Sequence, residues 1–138
     1  MRVAFGADEE NVVTAALVAA LGREGHDVVR PADGATWADV GRRVAEAVAD
    51  GRAERGVVCC WTGTGVSIAA NRVPGVRAAL CTDAATASGA RRWNDANVLA
   101  MGLRLTSETA AVEMLDAFLT TEVDAAEAAE IAKLDQAG

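Results

Sequence analysis

The stretch of this chain richest in reactive groups is Cys59-Cys60-Trp61-Thr62-Gly63-Thr64-Gly65-Val66-Ser67. Cys60 ends the apolar run Gly56-Val57-Val58-Cys59-Cys60 and directly precedes a glycine loop that opens onto a helical pattern. Amides at a helix N-terminus carry partial positive charge and favour an anion, so a thiol placed there can serve as a thiolate base. Packing is the competing reading, because free cysteine is among the most buried residue types. Neighbours on a strand point to opposite faces, which sends Cys59 into the core and makes a Cys59–Cys60 bridge strained. Cys81 reads as core too. Gly63 and Gly65 let backbone N–H groups approach a ligand while Thr62, Thr64 and Ser67 add hydroxyls, and together these would cradle an oxyanion or phosphate. A tight strand-to-helix turn explains the same glycines equally well. The stretch has neither the lysine of GxxxxGK[ST] nor the spacing of GxGxxG, which argues against nucleoside triphosphates and dinucleotides.

Two further groups stand where they could join this loop. Asp8 follows the first apolar segment and suits either a hydrogen bond to a polyol or a helix N-cap. Trp93 and Asn94, in Arg91-Arg92-Trp93-Asn94-Asp95-Ala96-Asn97, either face a pocket or make surface and capping contacts. The sole histidine, His26, lies between a helix terminator and a strand and reads as structural.

The elements that must position these residues follow from hydrophobic spacing. Met1 to Gly6 reads as a strand, and Asp8, Glu9 and Glu10 favour the first turn of a helix carrying Val12, Val13, Ala16, Leu17, Ala20 and Leu21 to a stop at Gly25. A strand at His26 to Arg30 precedes a helix that opens on a Thr36/Asp39 capping box and runs through Val40, Val44, Ala47 and Val48 to Gly51. Gly56 to Cys60 reads as a central strand buried on both faces, and the helix after Gly65 closes near Pro74-Gly75. Val76 to Leu80 forms the next strand, a helix capped by Thr82 runs to about Arg92, and Ala96 to Met101 forms the fifth strand. Thr106 or Ser107 starts a helix with the stripe Ala111, Val112, Leu115, Phe118 and Leu119. A Thr121/Asp124 capping box opens a final alanine-rich helix. Such alternation specifies one α/β domain over residues 1–138, an open, mostly parallel sheet of five strands covered on both sides, with right-handed crossovers. Ligands of such sheets bind beyond the carboxyl ends of the strands, where Gly6 to Asn11, Cys60 to Ser67 and the turn after Leu80 converge.

Bulk properties narrow the partners. Aromatic residues are only 4% of the chain, so alanine and valine must fill the interior and let helices approach the sheet closely. A net charge of −7 argues against nucleic acid, whose binding rests on many lysines and arginines neutralising phosphates. No apolar run reaches the roughly 18 residues that a membrane span needs. Three cysteines, two of them adjacent, with no leader pattern ahead, fit a reducing cytoplasm better than a disulfide framework.

Taken together, Gly6-Ala7-Asp8, the Cys-x-Thr-Gly-x-Gly-x-Ser-x-Ala-Ala-Asn run from Cys60 to Asn71, Asn94-Asp95-Ala96-Asn97-Val98 and Gly102-x-Arg104 resemble the ribose-5-phosphate isomerase B / galactose-6-phosphate isomerase family. The resemblance is collinear over nearly the whole chain. It implies a Rossmann-like three-layer α/β/α sandwich with a C-terminal helix, and a homodimer, or a tetramer built from it, with sites at the subunit interface. It also implies aldose–ketose interconversion through an enediolate, without metal or cofactor. On that resemblance Cys60 is the base and the amides from Trp61 to Gly65 hold the enediolate oxygen. Thr62 matches a position that assists ring opening. Asp8, Asn94 and Arg104 match substrate-contacting positions, with Thr64 and Ser67 in the same loop.

Three departures accompany it. Glu9 and Trp93 stand where the family usually has histidines, the second being its ring-opening acid/base, and an indole N–H cannot shuttle a proton at neutral pH. Glu9, Asp39 or another carboxylate would have to substitute. Trp61 replaces a glycine and either narrows the pocket or stacks on a sugar face. The family's phosphate-gripping arginines near the C-terminus are missing: beyond Arg104 only Lys133 is basic, among Glu122, Asp124, Glu127, Glu130 and Asp135. The expectation is an isomerase of altered substrate, open-chain, short or unphosphorylated. The alternative is a non-catalytic sugar-binding or heteromer-partner relative.

Overall fold

The structure is a computed structural model that describes residues 1–136. Strands β1 (Arg2–Ala7), β2 (Asp27–Val29), β3 (Arg55–Cys60), β4 (Ala78–Leu80) and β5 (Val98–Gly102) pair in parallel throughout, in the order β2-β1-β3-β5-β4. Helices α1 (Val12–Arg23), α4 (Ala84–Asn94) and α5 (Glu108–Thr120) cover one face, and α2 (Trp37–Ala49) and α3 (Thr64–Asn71) cover the other. Period-two alternation divides the core accordingly. Val57, Cys59, Leu99 and Met101 meet Leu17, Leu21, Met114 and Phe118 on the first face. Val58, Cys60, Val98 and Ala100 meet Val40, Val44 and Val66 on the second. The small side chains that composition demands lie where helix and sheet approach closely. A Cβ on Gly56 would stand 2.9 Å from Val44 Cγ1, and one on Gly41 would stand 2.7 Å from the Val66 carbonyl oxygen.

Several helix starts differ from the expectation, because a cap must be extended and stand immediately before the first helical residue. Asn11 meets that condition for α1: its Oδ1 accepts from the amides of Val13 (2.9 Å) and Thr14 (3.1 Å), while Thr14 Oγ1 accepts from the Asn11 amide at 2.9 Å. Asp8, Glu9 and Glu10 therefore precede the helix, and Val12 is exposed. Thr36 does stand at the N-cap of α2, but its side chain makes no capping bond and Asp39 instead accepts from Arg42 at 2.9 Å. Asp83 rather than Thr82 caps α4, accepting from the Thr86 amide at 2.7 Å. Thr121 ends α5 and opens nothing, and the alanine-rich segment breaks into a 3-10 turn at Ala125–Glu127, the short α6 (Ala128–Ala132) and a second 3-10 turn at Lys133–Gln136.

The three-residue edge strand β4 is held by polar side chains of these motif pieces rather than by apolar burial. Asn71 at the end of α3 both accepts from the Ala78 amide (2.8 Å) and donates to its carbonyl (3.0 Å). Asn97 accepts from the Arg77 amide at 2.8 Å and donates to the Gly75 carbonyl at 3.0 Å. Asp95 takes the left-handed conformation, φ 48°, at the end of α4. Its carboxylate receives Arg91 at 2.8 Å and Arg77 at 3.2 Å. Arg91 is buried, also donates to the Ala96 carbonyl, and lies over the Phe118 ring. Arg91 is buried but the Asp95 side chain is about a third exposed, so loss of the carboxylate costs charge-assisted hydrogen bonds that water partly replaces. Asp95→Asn, which still tolerates the left-handed turn, is therefore expected to lower unfolding stability by about 1.5 kcal/mol, read as a shifted urea midpoint at unchanged slope.

At the amino edge of the sheet, Asp116 on α5 has a buried carboxylate oxygen with no donor among the described residues except through Glu24, the C-cap of α1. The Glu24 carboxyl is raised above its ordinary value, first by its hydrogen bond to Asp116, then by burial and by repulsion from that carboxylate, against the opposing pull of Arg23. His26 Nε2 stands 3.6 Å from the same group. The folded chain thus keeps this proton to higher pH than the unfolded chain does. Its stabilising share is complete below the unfolded value and is lost as pH rises through the folded one. Glu24→Gln supplies a permanent donor, so the stability difference between variant and wild type should grow in the variant's favour from pH 4.5 to 7. Parallel thermal melts across that range check the sign.

Candidate functional site

The chain leaves β1 toward β2 and later enters β3 on the other side of β1, so the carboxyl ends of β1 and β3 flank a topological switch. Backbone bonds knit the loops there. The Asp8 amide donates to the Cys59 carbonyl at 3.4 Å, and the amides of Leu103 and Arg104 donate to the carbonyls of Cys60 and Trp61, both at 2.9 Å. The loops after β3 and β5 can close this tightly only because two glycines face each other. A Cβ on Gly63, at φ 78°, would sit 2.7 Å from the Gly102 amide nitrogen, and one on Gly102 would sit 2.6 Å from the Thr62 carbonyl oxygen. Gly65 makes room for the Trp37 ring, 2.7 Å from where its Cβ would be. The missing side chains of both loop glycines thus leave space that the protein itself fills.

Gly63 is the N-cap of α3 and offers no side chain, so the first-turn amides of this helix lack the side-chain acceptor that Asn11, Asp83 and Ser107 give α1, α4 and α5. These free donors sit directly after Cys60. The hydroxyls of Thr62 and Thr64 share a hydrogen bond at 2.8 Å beside them, and Ser67 is half-buried one turn on. Cys60 keeps 5% of its surface exposed on the α2–α3 face, against 0% for Cys59 on the other. Burial drives the Cys59 thiol far above the ordinary thiol range and lifts Cys81 to about 11, so neither supplies thiolate at neutral pH.

Trp61 is 56% exposed and borders two hollows at once. One is open and acidic, with Asp8 and Glu9. The other is a cavity of about 340 Å³ whose wall includes Thr62, Cys81, Thr82, Arg104 and Thr106, with Leu80 and the fully presented Leu105 at its rim. Arg104 has no carboxylate within ion-pair distance among the described residues, whereas Arg30, at the carboxyl end of β2, is bound by Glu10 (2.9 Å) and Asp33 (3.0 Å). Asp39 is occupied by Arg42 and lines a separate groove, which leaves Asp8 and Glu9 as the carboxylates beside Trp61. Residue spacing could not disclose Thr82, Leu105 and Thr106, because their approach to Thr62 depends on β4 and β5 being neighbours.

Cys60, Trp61, Thr62, Gly63, Thr64, Gly65, Asp8, Glu9 and Arg104 therefore gather at one edge. Trp93 and Asn94 do not. They end α4, which runs antiparallel to the strands, and so lie at the amino edge near Asp95 and Arg77. There the Trp93 ring covers Gly89, 2.7 Å from where a Cβ would be, and lines a groove along α4 with Asn94. The imidazole of His26 is also at that edge, next to the Met1 amine at 3.0 Å.

Comparison with known proteins identifies the family and the fold. The ribose/galactose isomerase family matches residues 3–135. Ribose-5-phosphate isomerase B of Escherichia coli is 35% identical over 131 residues, 89% of this chain and 86% of that protein. D-erythrulose-4-phosphate isomerase of Pectobacterium atrosepticum is 41% identical over 88 residues, 64% of this chain but only 58% of the relative's length. Among solved structures, ribose-5-phosphate isomerase B of Clostridium thermocellum superposes with a TM-score of 0.93 at 35% identity, covering 99% of this chain and 96% of that one. On the family match, the identity and the shared fold, the chain belongs to the ribose/galactose isomerase family.

Proposed function

We propose that this protein is an aldose–ketose isomerase of an open-chain sugar or sugar phosphate, with Cys60 as the proton-transfer group. The observation that carries the reading is the adjacency of Cys60, the most exposed of the three cysteines, to the uncapped first turn of α3. The Cys60 thiolate takes a proton from the carbon next to the substrate carbonyl. That electron pair forms the carbon–carbon double bond of an enediolate, and the negative charge moves to the former carbonyl oxygen. Amides of the Thr62 to Gly65 loop are the donors for that charge, which need no reorganisation because the turn is fixed. A proton shift between the two oxygens and return of the thiol proton to the neighbouring carbon complete a reaction with no net oxidation, and no metal or cofactor takes part.

An open-chain substrate fits the surroundings of Cys60. The sole imidazole of the chain is at the opposite edge, so the usual neutral-pH proton carrier for ring opening is absent from the loop cluster. Asp8 and Glu9 would bind hydroxyls, and Trp61 would pack against the carbon chain.

Trp93 and Asn94 enter this scheme only from a second copy, since their own chain holds them a sheet's length from Cys60. A two-fold dimer would give each site one loop cluster and one α4 end, which supports the homodimer over a self-contained subunit. The free thiols Cys59, Cys60 and Cys81 suit a reducing cytoplasm.

Cys60→Ala should lower the rate at which solvent deuterium enters substrate by about 10²-fold or more, the usual share of a positioned base. Isotope uptake followed by proton NMR across aldoses, ketoses and their phosphates checks it, and undiminished uptake would overturn the assignment. Shared sites make a second prediction. Cys60→Ala and Asn94→Ala chains, each inactive alone, should regain roughly a quarter of wild-type activity when co-refolded, because half the dimers then hold one intact site. No recovery would place each site within one chain.

A further inference from the structure

We propose that the hydroxyl pair of Thr62 and Thr64 carries the proton that must pass between the two enediolate oxygens, which makes Thr64 a further catalytic residue; the proposal rests on the isomerase reading above. Removing a proton from carbon does not by itself isomerise a sugar. The proton on one enediolate oxygen must reach the other before the thiol proton returns to the neighbouring carbon. The usual carrier, an imidazole, is held at the opposite edge. Thr62 Oγ1 and Thr64 Oγ1 stand 2.8 Å apart, and either can be the donor. Thr14 and Thr120, by contrast, spend their hydroxyl protons on the carbonyls of Asn11 at 2.9 Å and Asp116 at 2.7 Å. The carbonyl four residues before Thr64, a common partner for a helical threonine, is that of Cys60 and already accepts the Leu103 amide at 2.9 Å. Among the described residues the two hydroxyls have only each other, and both threonines are exposed, so one proton and the remaining lone pairs are free for a substrate.

The pair also lies where the charge would develop. Helical N–H groups point toward the helix N-terminus, and the Thr64 hydroxyl reaches the same way, back to Thr62, ahead of the uncapped first turn of α3. Asp8 and Glu9 do not line the cavity that Thr62 lines. Two oxygens held cis across a double bond have about the spacing of two hydrogen-bonded hydroxyls, so each can meet one member of the pair. A threonine hydroxyl is too weak an acid and too weak a base to hold charge at neutral pH, so the transfer is concerted. Thr62 gives its proton to the charged oxygen as it takes that of Thr64, and Thr64 takes the proton of the other oxygen. Each hydroxyl ends with one proton and the bond between them reverses direction. The negative charge has then moved to the second oxygen, with no oxidation or reduction.

Such a relay makes carbon exchange and isomerisation separable. Without it the enediolate still forms and returns to the starting ketose carrying solvent deuterium, but no product follows. Proton NMR in deuterated water reads both, as loss of the signal next to the ketone and growth of the aldose signal, with a panel of four- to six-carbon 2-ketose phosphates as probes. In the nearly isosteric Thr64→Val, exchange should stay near the wild-type rate while conversion falls by about 10²-fold, the share of a positioned proton carrier. Thr64→Ser should restore conversion. Thr64 is exposed, and equal melting temperatures would show that the fold survives; Thr64→Ala, which also lacks the hydroxyl, should repeat the split if valine disturbs the helix. A parallel fall of exchange and conversion in folded protein, or no change in either, overturns the relay and leaves the isomerase reading standing. Absence of exchange with every ketose in wild-type protein overturns both.

Discussion

The contact of Gly63 with the backbone at Gly102 is the constraint on which the rest of the site depends. A parallel sheet ordinarily lets its loops diverge past the last ladder bond, but here the ladder between β3 and β5 continues through Leu103–Cys60 and Arg104–Trp61. Any side chain at either glycine would strike backbone, and Gly63 needs a positive φ besides. This closure turns the chain sharply after Cys60 into α3, leaves the helix N-cap without a side chain, and fixes Arg104 beside Trp61. Thiol, free amides and cation are thus consequences of one close backbone approach. Acyl, aldehyde and ketone chemistry all gain from donors held rigidly where charge develops, and rigidity here is supplied by peptide groups rather than by mobile side chains.

A second set of constraints acts at the opposite edge. β4 is short and lies at the sheet margin, so it cannot hold itself by ladder bonds or burial alone. Asn71, Asn97 and Asp95 pin it from three directions, and the buried Arg91 ties that clamp to α5. Those residues belong to the same motif pieces as the loop of Cys60, yet their work is architectural. They also fix the turn that carries Trp93 and Asn94. The two halves of the family motif are therefore separated by the length of the sheet.

Much of this was legible in the order of residues. Apolar spacing located all five strands and helices α1 to α5, because burial on both faces of a parallel sheet produces continuous apolar runs that helices do not imitate. The placement of Cys59 and Cys60 on opposite faces followed from strand periodicity alone. Cap identities were less readable: Asn11, Asp83 and Thr36 compete with neighbours of equal chemical fitness, and only the backbone path decides between Asp8 and Asn11 or between Thr82 and Asp83. The alanine-rich end does carry the expected C-terminal helix, but only as the short α6 between two 3-10 turns, because it has no apolar stripe to bury and propensity alone does not sustain a longer one. The distance of Trp93 from Cys60 was hidden for another reason, since it depends on α4 running back along the sheet, a property of topology. Within the loop, the glycines looked like room for a ligand, whereas Trp37 and Gly102 already occupy that room.

The account as a whole rests on Cys60 being chemically reachable from the carboxyl edge, while Cys59 is sealed in the core and burial keeps the thiol of Cys81, in the wall of the adjoining cavity, protonated. Alkylation by iodoacetamide in native protein, mapped by peptide mass spectrometry and followed alongside isotope exchange, tests this most directly. The account predicts that Cys60 is modified fastest of the three, that a bound phosphorylated substrate protects it, and that exchange falls in proportion to its modification. Cys60 as inert as Cys59, or full modification of Cys60 with exchange intact, would contradict it.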